Sequence, residues 1–341
     1  MILITGGTGL VGAHLLLHLL EKGEYNLRAI YRTESHIQKT KALFELYHKG
    51  ELFSHIEWVQ GDITDIPSLE LAFGEVTSVY HCAAKISFNP NEEGELRKTN
   101  IEGTANIVNF CVDKNVKKLC HVSSIAALGD LAQNETTISE SSEWNPEVLH
   151  SDYAISKYGA EMEVWRGHQE GLEVVIVNPG VIFGPAATRN DWSHGSCAFF
   201  TSIQKGFPFY TLGSSGYVAV TDVVNIMRQL MNSETNGQRF TVIAENRIYK
   251  DIIYTIAEKI GASQPSIEAK PWILNLGWRL DWLFSLIFRT KRKLSKHATQ
   301  SLLNTDVISN EKIKQHLNYT FEPIDSYLDT VADYFKKSVW N

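Results

Sequence analysis

Ile2-Leu3-Ile4-Thr5-Gly6-Gly7-Thr8-Gly9-Leu10-Val11-Gly12 opens the chain and decides how the rest is read. Apolar β-formers run straight into glycines, and an apolar helical pattern begins at Leu10. Gly6, Gly9 and Gly12 each have a reason to lack a Cβ. Gly6 permits the tight turn out of the strand, Gly9 a close backbone approach to a phosphate, and Gly12 close packing of helix on sheet. The helix N-terminus then presents unpaired N–H groups and the positive end of its dipole. In this strand–turn–helix setting the glycine spacing predicts a pyrophosphate cradle, with Thr8, Leu10 and Val11 lining it beside the glycines.

The alternation continues downstream. Leu10 to Lys22 reads as a helix, Leu27-Arg28-Ala29-Ile30-Tyr31 as a second strand, Ile56-Glu57-Trp58-Val59 as a third and Val76 to Cys82 as a fourth. Residues 92–114 read as helical, Lys118 to Ser123 as a fifth strand, Tyr153 to Gln169 as a helix and Leu172 to Asn178 as a sixth strand. This order predicts an α/β fold: a Rossmann-type doubly wound parallel sheet with right-handed crossovers. Past about residue 180 the alternation loosens, with loops over 184–216 and helices after 250. The expected organisation is a dinucleotide-binding domain over 1–180, with returning segments near 215–245, and a smaller, mostly helical substrate-binding lobe over 181–341.

Composition agrees with a globular chain of this size. With 341 residues, 43% hydrophobic and 21% charged, it is neither disordered nor of low complexity. A net charge of −7 argues against nucleic acid as a partner. Cysteines 82, 111, 120 and 197 form no C-x-x-C pair and no zinc spacing, so free thiols in a reducing, cytoplasmic setting are expected. Met1 leads directly into the first strand, with no sign of a secretory leader.

The end of the second strand selects the dinucleotide. An acid there would hold a ribose 2′-hydroxyl, whereas a cation would take a 2′-phosphate. Ala29-Ile30-Tyr31-Arg32-Thr33 offers Arg32 and no acid, which favours NADP over NAD. Glu24 precedes the strand and points at the wrong edge. Asp62 and Ile63, after the third strand, suit the adenine rim, although a turn role fits Asp62 equally well. Ala83, Ala84 and Lys85 follow the fourth strand, where small residues let a cofactor pass close by. Pro179 and Val181 follow the sixth and would set backbone beside the nicotinamide.

Tyr153-Ala154-Ile155-Ser156-Lys157 supplies the candidate chemistry. A four-residue step places phenol and ammonium on one helix face, one turn apart. A phenol of pKa near 10 exchanges protons poorly at neutral pH, and a neighbouring ammonium lowers that value. Ser123 and Ser124 end the fifth strand, where a hydroxyl can polarise the same substrate oxygen.

Taken together these motifs resemble the extended branch of the short-chain dehydrogenase/reductase superfamily, the NAD-dependent epimerase/dehydratase family. TGGTGLVG and YAISK carry the resemblance over residues 1 to about 185. Asn304-Thr305-Asp306, Leu317-Asn318-Tyr319 and Phe321-Glu322-Pro323 are similar to the closing pattern of its dihydroflavonol-reductase and 3β-hydroxysteroid-dehydrogenase group. The resemblance implies that Tyr153 is the proton donor, and that Lys157 lowers its pKa and holds the nicotinamide ribose. It also implies that Ser124 orients the carbonyl, that Asn100 supports a relay water and that Arg32 takes the 2′-phosphate. The reaction expected is hydride transfer between NADP(H) and the carbonyl or alcohol of a small, apolar or aromatic substrate. The alternatives are a sugar or sugar-nucleotide epimerase on the same fold, or a non-catalytic dinucleotide sensor.

Departures sharpen the expectation. Ile125-Ala126 stand where dehydratases of this superfamily carry an Asp-Glu pair. Gly216 stands where many sugar-nucleotide epimerases carry an arginine. Asp222 is expected to cap the helix that follows it. His14 and His18, four apart, are read as surface histidines and no metal site is expected. Asn134-Glu135-Thr136 and Asn318-Tyr319-Thr320 fit the glycosylation pattern with nothing else suggesting secretion.

Residues 272–288, followed by Arg289, Lys291, Arg292, Lys293 and Lys296, are too short and too interrupted by charge to span a bilayer. A helix packed on the second lobe is the favoured reading of 272–296, ahead of an interfacial membrane helix or a substrate lid. The family resemblance also implies that helices near 100–113 and 153–169 can pair in a homodimer, with Phe110, Met162 and Trp165 available as a seam, although inward packing explains these three residues equally well.

Overall fold

The computed structural model describes residues 1–87, 89–133, 135–288 and 296–340. Among these, seven parallel strands make one sheet: β1 (Ile2–Thr5), β2 (Leu27–Tyr31), β3 (Ile56–Gln60), β4 (Ser78–His81), β5 (Lys118–Val122), β6 (Glu173–Pro179) and β7 (Gln238–Val242). The order is β7-β6-β5-β4-β1-β2-β3, so the chain winds one way from β1 to β3 and the other way from β4 outward. The winding reverses between β1 and β4, where Ile4 lies opposite Tyr80. Open α/β sheets bind ligands at such a reversal.

Alternate residues of the central strands serve opposite cores. Leu119, Val174 and Ile176 join the cluster holding Phe73, Val108 and Val164, whereas Cys120, Val175 and Val177 join the one holding Leu16, Ile226 and Phe335. Helices α1 (Leu10–Glu21), α2 (Glu34–Leu46), α3 (Ile66–Ala72), α4 (Gly103–Asp113), α5 (Asp152–Gln169) and α6 (Val220–Met231) flank the sheet. A near-continuous apolar run in β6 reflects this two-sided cover.

The second half does not stand apart. β7, from beyond residue 230, pairs in parallel with β6. Lys118 opens β5 buried, and its ammonium donates to the carbonyls of Leu230 (2.8 Å) and Ser233 (2.7 Å) at the end of α6. A cation there meets the negative end of the helix. Val181–Phe183, Ser214–Ala219 and Glu245–Ile248 form a smaller mixed sheet beside the main one. The remainder is largely helical, including Tyr249–Ile260, Pro271–Phe288 and Ile324–Trp340.

Several expectations change. His14 is buried, not on the surface, held between the Leu10 carbonyl (2.8 Å) and the Tyr47 hydroxyl (3.2 Å). Burial pushes both His14 and His18 down to about 4, and no metal-binding cluster exists among the described residues. Phe110 turns inward to stack on Phe73 (ring centroids 5.0 Å), while Met162 is exposed. On the helix that starts at Pro271, Leu274 is buried but Trp272 and Leu276 face solvent. The basic residues 289–293 lie outside the described residues, as does Asn134. Among the described residues no helix is long and apolar enough to cross a membrane.

Asp222 does not cap α6, whose N-cap is Ala219. It lies inside the first turn, buried, and accepts hydrogen bonds from the Tyr319 hydroxyl (2.8 Å) and the Glu322 N–H (3.1 Å). Burial pushes its carboxyl up to about 6 against those bonds. A carboxyl that binds its proton more tightly when folded costs stability as pH rises from about 4, its unfolded value, to about 6. The full cost is on the order of 2–3 kcal/mol. Asp222→Asn should therefore gain thermal stability relative to wild type between pH 4.5 and pH 7.5. Thermal denaturation of both proteins at the two pH values measures this, and an unchanged difference would contradict it.

Candidate active site

The glycine turn is tightly built. Gly6 has φ of 69°, and a Cβ there would lie 2.7 Å from the Ala83 nitrogen at the end of β4. A Cβ on Gly12 would lie 2.2 Å from the Gly6 carbonyl oxygen. Gly9 differs: its Cβ would meet only that same oxygen, at 3.4 Å, and the residue is exposed. Gly9 is the N-cap of α1, with no side-chain cap and no acid in the first turn. Thr8, Leu10 and Val11 lie half-buried around this uncapped end. The arrangement fits a dinucleotide pyrophosphate, which needs free N–H groups and a surface without side chains.

Behind the turn runs a buried hydrogen-bond chain. The Ala83 N–H donates to Thr5 Oγ1 (3.2 Å), which meets His81 Nδ1 (2.7 Å). His81 Nε2 meets Thr104 Oγ1 (2.9 Å), and that hydroxyl donates to the Asn100 carbonyl (2.6 Å). Since Thr104 spends its proton on Asn100, His81 carries its proton on Nε2 and accepts from Thr5. Burial, then the Lys157 charge, push His81 down to about 3, so the ring is neutral.

Asn100 lies buried in a π turn, Lys98–Glu102. Its oxygen accepts from the Lys85 N–H (2.7 Å), and its amide donates to the Lys85 carbonyl (2.9 Å) and Ser156 Oγ (2.9 Å). The side chain thus fastens the backbone after β4, and its two N–H donors are used there rather than on a relay water. The Lys85 ammonium is held by Glu92 and Glu95, so its backbone, not its charge, faces the strand ends.

On the adenine side, Asp62 serves a turn: its carboxylate accepts from the Thr64 N–H (2.9 Å) and hydroxyl (2.8 Å). The Ile63 side chain is buried against Gly103 of α4. Ala84 is exposed, Pro179 closes β6 buried, and Val181 follows half-buried. Arg32 is exposed just beyond β2, and among the described residues nothing engages its guanidinium. Glu24, by contrast, is paired with Arg228 at 2.9 Å.

The candidate catalytic groups do meet. Ser151 caps α5 by accepting from the Ala154 N–H (3.1 Å), which sets Tyr153 in the first turn. Ser124, just past β5, is hydrogen-bonded to the Tyr153 phenol and caps a short turn, Ile125–Ala127. Lys157 is buried, and its ammonium donates to the Val122 carbonyl (2.9 Å). Burial pushes the lysine down to about 8. The phenol is raised by burial, and the Ser124 hydrogen bond is what draws it back. The lysine's expected hold on the phenol is therefore not what this geometry displays: desolvation dominates both groups, and Lys157 is turned to the strand carbonyl.

Sequence reading missed a second ring of polar residues behind these. Glu161, wholly buried, bonds Asn178 and Arg239. It lies four residues past Lys157 and eight past Tyr153, a spacing that marks one helix face and was the available signal.

Comparison with known proteins agrees with this fold. A model of the NAD dependent epimerase/dehydratase family matches residues 2–244. The chain is 28% identical over 280 residues to the "Putative dihydroflavonol 4-reductase" of Synechocystis sp., covering 81% of this chain and 77% of that one. It is 28% identical over 282 residues to the sterol demethylase protein B of Methylococcus capsulatus, covering 80% and 78%. The crystal structure of the Thermotoga maritima UDP-glucose 4-epimerase superposes with a TM-score of 0.75 at 20% identity, covering 99% of each chain.

The glycines separate fold from ligand. Gly12→Ala should lower stability by about 1–3 kcal/mol, since its Cβ meets fixed backbone. Gly9→Ala should fold as wild type, its φ of −92° and ψ of 174° being open to alanine, yet lose dinucleotide binding. Thermal denaturation paired with NAD(P)H fluorescence titration distinguishes the two, and undiminished binding by Gly9→Ala would contradict the cradle.

Proposed function

The chain belongs to the NAD dependent epimerase/dehydratase family, and from that premise we propose that it is an NADP(H)-dependent carbonyl reductase acting on an apolar or aromatic substrate. The family makes it an NAD(P)-dependent enzyme of the oxidoreductase or epimerase kind. The observation that carries the finer reading is the Tyr153–Ser124 hydrogen bond, with buried Lys157 one turn along the same helix.

A bound nicotinamide supplies or takes the hydride at the substrate carbon. The chain supplies the proton and the orientation. Burial keeps the phenol protonated at neutral pH, so Tyr153 can give its proton to the carbonyl oxygen as the alkoxide charge develops. Ser124, already bonded to that phenol, donates to the same oxygen and fixes the carbonyl. Lys157, at about 8, keeps a positive charge through neutral pH and suits the nicotinamide ribose.

Two features support reduction over sugar-nucleotide chemistry. Ile125-Ala126 bring no carboxylate to the position after Ser124. A Cβ on Gly216 would lie 2.6 Å from Ile243 Cγ2, so no diphosphate-binding arginine fits there. Arg32, exposed and unengaged among the described residues, supports NADP as the dinucleotide.

NADPH oxidation over a panel of ketones, sterols and aldehydes tests the reading, and the absence of any net turnover would refute it. Tyr153→Phe should cut kcat by about 10²–10⁴-fold while cofactor affinity holds. Full activity in that variant would overturn the mechanism. Arg32→Ala should weaken NADPH roughly tenfold to a hundredfold more than NADH, the loss of a charge-assisted contact of about 1.5–3 kcal/mol. Equal weakening of both would remove the NADP assignment.

A further inference from the structure

We infer that Glu161 is a positioning residue of this site: a buried carboxylate that fastens the peptide carrying Ser124 and balances the charge of Lys157. The inference rests on the reading of Ser124, Tyr153 and Lys157 as the reacting set. Glu161 itself touches none of the reacting atoms and acts through its neighbours.

The fastening is direct. Asn178, at the end of β6, donates from one amide nitrogen to the Ser124 carbonyl (3.0 Å) and to a Glu161 oxygen. The other Glu161 oxygen accepts from the Arg239 guanidinium (3.1 Å). Arg239 lies on β7 and also donates to the carbonyls of Glu140 (2.8 Å) and Ser142 (3.3 Å). Those residues belong to the segment that closes over Gly129, where a Cβ would lie 2.3 Å from Ser142 backbone. One carboxylate therefore ties together the ends of β5 and β6, the catalytic helix, β7 and the loop between Ser124 and Tyr153.

The placement is costly unless it does something. A carboxylate removed from water demands partners, and a buried pair is often no more stabilising than apolar residues of the same size. Burial indeed raises the Glu161 carboxyl, against Ser123, Arg239 and Asn178, which favour its charged form. The other charged neighbour is Lys157, one turn away on the same face. The groups facing Lys157 are the Val122 carbonyl, the Cys82 thiol, the neutral rings of His81 and His121, and Glu161. Of these, Glu161 is the largest influence opposing burial, and it holds the lysine up toward its ordinary value. Arg239 balances the carboxylate from the far side, which leaves Lys157 neither bare nor locked in an ion pair.

Two substitutions separate geometry from charge. Glu161→Gln keeps the shape and removes the charge; Glu161→Asp keeps the charge and withdraws it from Asn178. The full chain, labelled with ε-13C lysine, is titrated by NMR, with Lys157 assigned from the spectrum of Lys157→Met. The Lys157 midpoint should fall by about one pH unit in Glu161→Gln and stay near the wild-type value in Glu161→Asp. Turnover of NADPH with phenanthrenequinone, an aromatic diketone probe, should fall roughly tenfold in both, part of the 10²–10⁴ that acid catalysis supplies. In Glu161→Gln its alkaline limb should move down with the lysine. A folded Glu161→Gln whose Lys157 midpoint matches wild type overturns the inference. Should that variant not fold, wild-type turnover by Glu161→Asp overturns the fastening role. If the wild type reduces no carbonyl, the functional reading fails, and the Lys157 titration still decides the role of Glu161.

Discussion

The Gly6 carbonyl occupies the space that a side chain at residue 12 would need, and Gly6 itself leaves no room for a Cβ against Ala83. These two contacts bring β1, α1 and β4 to one point. The helix starts hard against the strand end, so its open N–H groups lie at the reversal of the sheet and not beside it. Close packing of this kind tolerates no extra methylene, since interior density is already that of an organic crystal. Everything downstream is arranged around that fixed point. The Thr5–His81–Thr104–Asn100 chain extends it through the interior to the π turn, and Asn100 hands it on to Lys85 and to Ser156 on α5.

The chain beyond residue 180 is tied within itself and to this frame by interactions of unequal weight. Lys39–Asp191 and Lys259–Asp329 are partly exposed, and pairs of that kind contribute little. The buried ties do more. Lys118 ends α6 with two carbonyl contacts, Asn310 donates to the Ile243 carbonyl (2.7 Å), and Asn246 exchanges two hydrogen bonds with Ile308. Each satisfies backbone groups that would be costly to leave unpaired. Because β7 also completes the main sheet, removing the second half of the chain would strip an edge strand from that sheet.

Much of this was legible in the sequence, and the reason is local. The first strand, its glycines and its helix are specified by neighbours in the chain, as are the i, i+4 pair Tyr153 and Lys157. Strand β4 was read from Val76 to Cys82 and spans Ser78–His81; the apolar run is longer than the paired segment. What the sequence hid are long-range polar contacts. Asp222 looked like a cap because it begins a helix, but its partners Tyr319 and Glu322 lie about a hundred residues on. His14 looked solvated because histidine usually is, and Tyr47 covers it. Glu161 looked like an ordinary charge on a polar helix face, since its partner Arg239 reaches it only once β7 has joined the sheet. Helices α2 and the short α3 are hidden for the same reason, as their weak patterns acquire meaning only against β2 and β3.

The charge state of the centre follows from how little water reaches it. The tilted rings of His81 and His121, with centroids 5.1 Å apart, are both driven neutral by burial and by the Lys157 charge. Cys82 and Cys120 are pushed up and stay as thiols. Within this group the lysine is the one cation, and its charge is not cancelled by a direct ion pair; it rests on a backbone carbonyl. Low dielectric makes such a charge act strongly at short range. The same burial raises the Tyr153 phenol, which keeps its proton at neutral pH. Part of the cost of holding these groups dry is offset by the Val122 carbonyl of β5, and Glu161 and Asn178 behind the site are as buried as the hydrophobic core around them.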